Sequence, residues 1–187
     1  SGALADVAPE RAQAFAAKMA RELGVPATRD GFASVSEDAV LAAQRKLSQL
    51  DLTSMGETVD EGLGLGPAID GDLIVRPTAQ SLTLGIGADK PLVLGATDDE
   101  FSMAVQDQAS KLRWFPLAML LRPFKLSAAT RRSYLAANRA IVARGHAAVL
   151  GRLVTDKMFR TGVVRAARAR GGAPTWVYRI AFRSTKF

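Results

Sequence analysis

Three carboxylates in a row, Asp98, Asp99 and Glu100, close the segment Pro91-Leu-Val-Leu-Gly-Ala-Thr-Asp-Asp-Glu100. A carboxylate held in place can orient an imidazole, relay a proton or bind a cation. The same cluster also fits an ordinary acidic turn or a helix N-terminus, where carboxylates offset unpaired N–H groups. What sets it apart is the run before it. A short apolar stretch ending in Gly reads as a buried parallel strand, and functional groups in open α/β sheets collect just past the carboxyl ends of such strands.

Other residue types narrow the chemistry. With no cysteine, thiol nucleophiles, disulfides and Cys-ligated metals are excluded. No cofactor and no metal is expected. The single histidine, His146, sits in Ala143-Arg-Gly-His146, which reads as a surface or helix-end position. No G-x-S-x-G occurs, so no serine stands on a recognisable nucleophile elbow. Gly62-Leu-Gly-Leu-Gly66 lacks the dinucleotide-loop spacing and runs into Pro67, so it reads as a connection.

Charge is uneven along the chain. Residues 1–100 hold 8 basic and 16 acidic side chains, a balance of −8; residues 101–187 hold 17 and 2, a balance of +15. A basic half can mark a nucleic-acid surface, yet Arg131, Arg132, Arg139, Arg144, Arg160, Arg165, Arg168 and Arg170 are scattered rather than set on one face. No nucleic-acid partner is expected. No apolar run nears the ~20 residues that span a bilayer, and no membrane partner is expected. The chain opens Ser1-Gly-Ala rather than with Met, so the native N-terminus is expected upstream, with a cytoplasmic setting favoured.

The elements that must position Glu100 follow from periodicity. Pro9 to Leu23 predicts a helix with Ala12, Phe15, Ala16 and Met19 on one face and Gly24 as its stop. Ser34-Val-Ser-Glu37 predicts a capping box for a helix burying Val40, Ala43, Leu47 and Leu50. Asp51 to Gly66 reads as a Gly-rich acidic loop, and Leu73–Val75 and Pro91–Leu94 as short extended runs. Helices are expected over Phe101–Leu112, over a short apolar piece Leu117–Leu121, from Ser127 toward Gly145, and from an Asp156 cap to Gly171-Gly172. Thr175 to Phe182, β-branched and aromatic, predicts the last strand. Two strands alone leave backbone edges and apolar faces that need neighbours.

Two segments together, Gly66-Pro-Ala-Ile-Asp-Gly-Asp-Leu-Ile-Val75 and Gly95-Ala-Thr-Asp-Asp-Glu100, resemble the type-B carboxylesterase (cholinesterase-like, para-nitrobenzyl esterase-like) family of α/β-hydrolases. In that family a Pro-hydrophobic-hydrophobic-Asp-Gly-Asp segment precedes a strand ending in Gly-x-Thr-x-Asp-Glu. The likeness continues in order. Ser1-Gly-Ala3 resembles the segment after the sixth strand, Glu22-Leu-Gly-Val25 the end of the next helix, and Ala43-Gln44 the following Leu-x-x-Ala-Gln helix. Leu153-Val-Thr-Asp-Lys-Met-Phe159 resembles the late Thr-Asp-x-x-Phe segment, and Trp176-Val-Tyr-Arg-Ile-Ala-Phe182 the eighth strand.

The resemblance implies an α/β fold, the C-terminal part of an α/β-hydrolase with few strands and large helical insertions. Residues 1–187 would form one partial domain, with a helical cap over 101–150. It implies hydrolysis of carboxylic esters through a Ser–Glu–His acyl-enzyme mechanism, with Glu100 as the acid. Met103 and Ala104, three and four residues beyond, would lie near the substrate, and Trp114, Phe115 and Phe124 would either line an apolar gorge or pack between cap helices. The family's Ser and oxyanion-hole glycines lie upstream of Ser1 and its His downstream of Phe187. The chain alone is therefore expected to be inactive, with the remainder of the domain or a second copy as its partner and a small-molecule ester as the substrate of the intact enzyme. Two other readings stay open: a non-catalytic interaction protein of the same fold, and a basic helical nucleic-acid-binding module.

Overall fold

Helix α1 (Pro9–Leu23) begins where proline's fixed φ suits the first helical position and ends where Gly24 takes a left-handed φ of 69°. The computed structural model describes Leu4, residues 6–48, Val59, residues 65–106 and residues 108–182; the expected loop over Asp51–Gly66 and the core position Leu50 lie almost wholly outside the described residues. The chain divides into two units, Ala5–Pro77 and Thr78–Phe187, the latter including the first four residues.

In the Ala5–Pro77 unit, α1 packs against α3 (Glu37–Leu47). The capping box expected at Ser34 is displaced. Ser36 is the N-cap, its hydroxyl accepting from the Ala39 N–H at 3.3 Å. Ser34 instead follows an unforeseen short helix α2 (Arg29–Ala33) and donates to the Gly31 carbonyl at 2.7 Å. Thr28 caps α2, and its own hydroxyl competes successfully for the backbone there. The extended run expected at Leu73–Val75 is also absent. Asp70 folds this stretch into a turn, its Oδ1 accepting from the Asp72 and Ile74 N–H groups at 3.0 and 2.9 Å. Those donors hold the Asp70 carboxyl below its ordinary value, the Ile74 N–H contributing most.

The Thr78–Phe187 unit is built around two parallel strands and one buried helix. After α4 (Thr78–Thr83) comes β1 (Leu92–Thr97). Short helices follow: α5 (Ser102–Gln106), α6 (Ala109–Leu112) and α7 (Leu117–Leu120), then a 3₁₀ turn at Arg122–Phe124. The single helix expected over Phe101–Leu112 is thus two. The long helix expected from Ser127 divides at Asn138 into α8 (Ala128–Ala137) and α9 (Arg139–Val142).

Helix α10 (His146–Thr155) runs through a π-helical turn at Asp156–Arg160 into α11 (Thr161–Ala169). Asp156 therefore lies inside a continuous helix and caps nothing. Its carboxylate instead accepts from the Tyr134 hydroxyl at 2.8 Å and pairs with Arg160 at 2.6 Å. Every residue from Val149 to Thr155 is buried. A helix covered on all sides is the centre of its domain.

Strand β2 (Thr175–Ile180) pairs with β1 in parallel, from Leu92 opposite Thr175 to Thr97 opposite Ile180. Among the described residues each strand pairs only with the other. In a parallel pair, opposed residues share a face. Leu94, Ala96, Val177 and Arg179 lie on one face, where Val177 is exposed, while Val93, Trp176, Tyr178 and Ile180 form an exposed apolar surface on the other. Gly95 is needed on that second face. A Cβ there would fall 2.5 Å from the Tyr178 ring.

Candidate active site

The segment past β1 is where the chain assembles charge. Asp98 extends the parallel ladder by one step, its N–H donating to the Ile180 carbonyl at 2.9 Å. By the period of two, its side chain shares the face of Ala96 and Arg179. Both guanidinium nitrogens of Arg179 that face it, Nε and Nη2, pair with the carboxylate. From the helix side, Nη1 of Arg152 stands 3.6 Å from Asp98 Oδ1. The Arg179 hydrogen bonds hold the Asp98 carboxyl below its ordinary value; the charge on Arg152 adds to this, and partial burial opposes it.

Glu100 sits in the bend between β1 and α5 and is half-buried. Its Oε1 accepts from the Thr97 N–H at 2.8 Å, so the carboxylate folds back on the last residue of the strand. The next residue is fixed from outside the loop. The Phe101 N–H donates to Thr155 Oγ1 at 3.2 Å, and Thr155 is fully buried. Asp99 has a different role. It is exposed and accepts from the Ser102 hydroxyl at 2.7 Å, an ordinary helix-entry contact.

Three residues of α10 make this placement. Arg152 and Thr155, three apart, share a helix face. Gly151 allows that face to come close, because a Cβ there would stand 3.0 Å from Ser102 Cα. The π turn begins immediately after Thr155, and such turns recur at functional sites. Behind it, burial and the hydrogen bond to Asp156 push the Tyr134 hydroxyl well above its ordinary value, so Tyr134 stays a neutral donor.

The remaining sequence candidates are dispersed. Met103 is 83% exposed on α5. Ala104 belongs to the same helix, and its side chain lies outside the described residues. Phe124 is buried in the core, whereas Phe115 and Trp114 are exposed, Trp114 beneath the Arg113 guanidinium at 4.9 Å. His146 opens α10, with Nδ1 3.2 Å from the Leu112 carbonyl. The helix rise puts it ~13 Å along the axis from Thr155, far from the Glu100 bend. Among the described residues no group of three or more His, Asp and Glu could hold a metal ion, and no helix is long and apolar enough to cross a membrane.

Sequence reasoning missed Arg152, and met Thr155 only inside the Leu153–Phe159 resemblance, with no role given to it. The available signal was a lone cation inside the apolar run Ala147-Ala-Val-Leu-Gly-Arg-Leu-Val154. A charged side chain is almost never fully buried unless it is paired, so a cation there calls for a partner.

No family model matches the sequence. Two crystal structures of a carboxylesterase from Geobacillus stearothermophilus, EST55, do match the fold. Against the form at pH 6.2 the TM-score is 0.74 at 21% identity, over 98% of this chain and 37% of the esterase. Against the form at pH 6.8 the TM-score is 0.59 at 22% identity, over 98% and 36%. The chain thus spans little more than a third of the length of the enzyme it resembles, and its fold is that of part of an α/β-hydrolase.

Proposed function

We propose, for a chain that folds as part of a carboxylesterase, that it belongs to a serine carboxylesterase of the type-B family and supplies the acid of its catalytic triad. Glu100 is that acid. The observation that carries the reading is its position: a half-buried carboxylate three residues past the carboxyl end of a parallel strand, folded back on the Thr97 N–H. Such a group is close enough to solvent to meet an imidazole and rigid enough to hold it.

In acyl transfer a serine attacks the ester carbonyl, and a histidine takes its proton and returns it to the leaving alcohol. The carboxylate fixes the tautomer of the imidazole and stabilises the imidazolium. On this reading the serine, the oxyanion donors and the histidine lie outside the 187 residues. The open face made by Val93, Trp176, Tyr178 and Ile180 supports its being covered by helices of the remainder of the domain, and the open outer edges of β1 and β2 support further strands being added beside them. The helices over 101–150 would form the cap, and Met103 and Ala104 would approach the acyl pocket once it is complete.

The chain alone should not turn over a p-nitrophenyl ester, since a carboxylate offers neither an activated nucleophile nor a stabilised oxyanion. Turnover abolished by a serine-directed phosphonate would overturn that. In the complete enzyme, Glu100→Gln keeps an oxygen that can accept from the Thr97 N–H and removes only the charge. Loss of the orienting acid costs on the order of 10⁴ in turnover in a worked serine protease, and a comparable fall is expected here. Activity within about tenfold of the parent, on the same scale, would sink the assignment.

A further inference from the structure

We propose that Arg152 is a positioning residue for the esterase reaction: through Asp98 it fixes the loop that presents Glu100, without touching the ester. This rests on the esterase reading of Glu100.

Arg152 is poorly satisfied. Its side chain is 6% exposed, and its nearest carboxylate oxygen stands at 3.6 Å. Its Nε is buried and finds no hydrogen-bond partner. A residue retained for stability alone would be expected to have its donors paired, because each buried unpaired donor costs free energy. Asp98 moreover already has a counter-ion in Arg179, through two hydrogen bonds. A second cation is not needed to neutralise it.

What Arg152 adds is a fixed point on the helix side. Asp98 is tied to β2 by the Ile180 carbonyl and by Arg179. Both of those ties belong to the strand pair. Arg152 and Thr155 belong to α10 and reach the same loop, at Asp98 and at the Phe101 N–H. Glu100 lies between those two points. The loop is therefore clamped on both sides of the carboxylate by a single helix face, and Gly151 is what allows that face to come so near.

The experiment uses the complete enzyme, with Arg152→Met and Arg152→Lys beside the Glu100→Gln control. Arg152→Met leaves Asp98 paired with Arg179, so no buried carboxylate is stranded. Its kcat on a p-nitrophenyl ester should fall roughly 10- to 100-fold, the size of effect a small misplacement of a reacting group produces. KM should stay within about twofold, because ground-state binding is untouched. Since the contact to Asp98 is a single point contact and not a bidentate fork, Arg152→Lys should recover most of the kcat.

Hydrogen exchange gives a second readout that needs no turnover. In Arg152→Met the Thr97 and Phe101 amides should exchange faster, while the amides of α10 keep their protection. An Arg152→Met enzyme with parental kcat overturns the proposal, as does faster exchange spread through the whole of α10, or an Arg152→Lys no better than Met. If Arg152→Met does not fold, the proposal is overturned unless Arg152→Lys folds and shows the local exchange change with a kcat-only defect. Should Glu100→Gln itself prove active, the esterase reading fails separately, and the exchange experiment still reports whether Arg152 holds the loop.

Discussion

The two ends of the β1–β2 pair are each organised by a buried arginine, and the two arginines are satisfied in opposite ways. At the entry end Arg170 donates to the Lys90 carbonyl at 2.6 Å, the Gly87 carbonyl at 3.1 Å and Thr175 Oγ1 at 2.9 Å, with the Pro174 carbonyl at 3.5 Å. Neutral acceptors from before both strands converge on it. At the exit end Arg152 has one carboxylate oxygen at 3.6 Å and an unpartnered Nε. The first arrangement closes a backbone account: carbonyls that start two strands find their donors. The second leaves polar capacity unused beside the carboxylate loop. The well-bonded cation stands at the entry end of the strand pair and the under-bonded one at the exit end, which is the end proposed above for the acid and the end past which sites in open α/β sheets generally lie.

The largest effect expected from this contrast is on stability, and at the entry end. Arg170→Met should cost about 3 kcal/mol, because it removes a buried guanidinium whose charge-assisted, part-buried hydrogen bonds to the Gly87 and Lys90 carbonyls are worth about 1.5 kcal/mol each. Arg152→Met should cost about 1 kcal/mol or less, since replacing an ill-satisfied buried ion by an apolar side chain is often near neutral. Urea unfolding followed by far-ultraviolet circular dichroism measures both. The contrast breaks if Arg152→Met proves the more destabilising of the two.

Much of this frame was legible before any coordinates. The strand ending at the carboxylates, the final β-branched strand and α1 with its Gly24 stop follow from local chemistry, and local chemistry decided them. The misplaced elements failed for a non-local reason. Ser34 and Ser36 are both competent caps, and the choice between them depended on α2, whose five residues are too few to show a periodicity. Asp156 reads as an N-cap from its neighbours alone. Tyr134 and Arg160 claim its carboxylate, and burial of the whole of Val149–Thr155 carries the helix straight through it. The candidate site was half legible for the same reason. Glu100 is marked by the strand before it, whereas Arg152 and Thr155 reach it from some fifty residues away, across a contact no spacing rule describes.

A smaller effect, but a more diagnostic one, belongs to Asp98. Its carboxyl lies below the ordinary value in the folded chain. It therefore contributes stability that is fully present above the unfolded value of ~3.9 and is lost as the pH falls through the lowered folded value. Asp98→Asn should cost about 2 kcal/mol at neutral pH, in the range for charge-assisted hydrogen bonds. The gap between parent and variant should narrow in the acid limb below pH ~4, where the parent carboxyl takes up its proton. Unfolding curves collected from pH 2.5 to 7 test the sign. A gap that widened toward acid would mean that the carboxylate is strained and not stabilised by its two arginines.

The smallest expected effect separates those two arginines from each other. Arg179 is 58% exposed on its side chain, while Arg152 is 6% exposed, yet Arg179 makes the closer, two-pronged contact. Exposure should limit what that geometry contributes to stability. Water and ions screen an exposed pair, so even with good geometry Arg179→Gln should cost only about 1 kcal/mol at low salt. At ~1 M salt, where the screening length is ~3 Å, most of that difference should vanish. The Arg152 contact, shielded inside the helix layer, should show little salt dependence in the same titration. If the Arg179 contribution survived high salt undiminished, the exit end would be held by its own strand pair, and the helix face of Gly151, Arg152 and Thr155 would be packing around a loop that β2 already fixes.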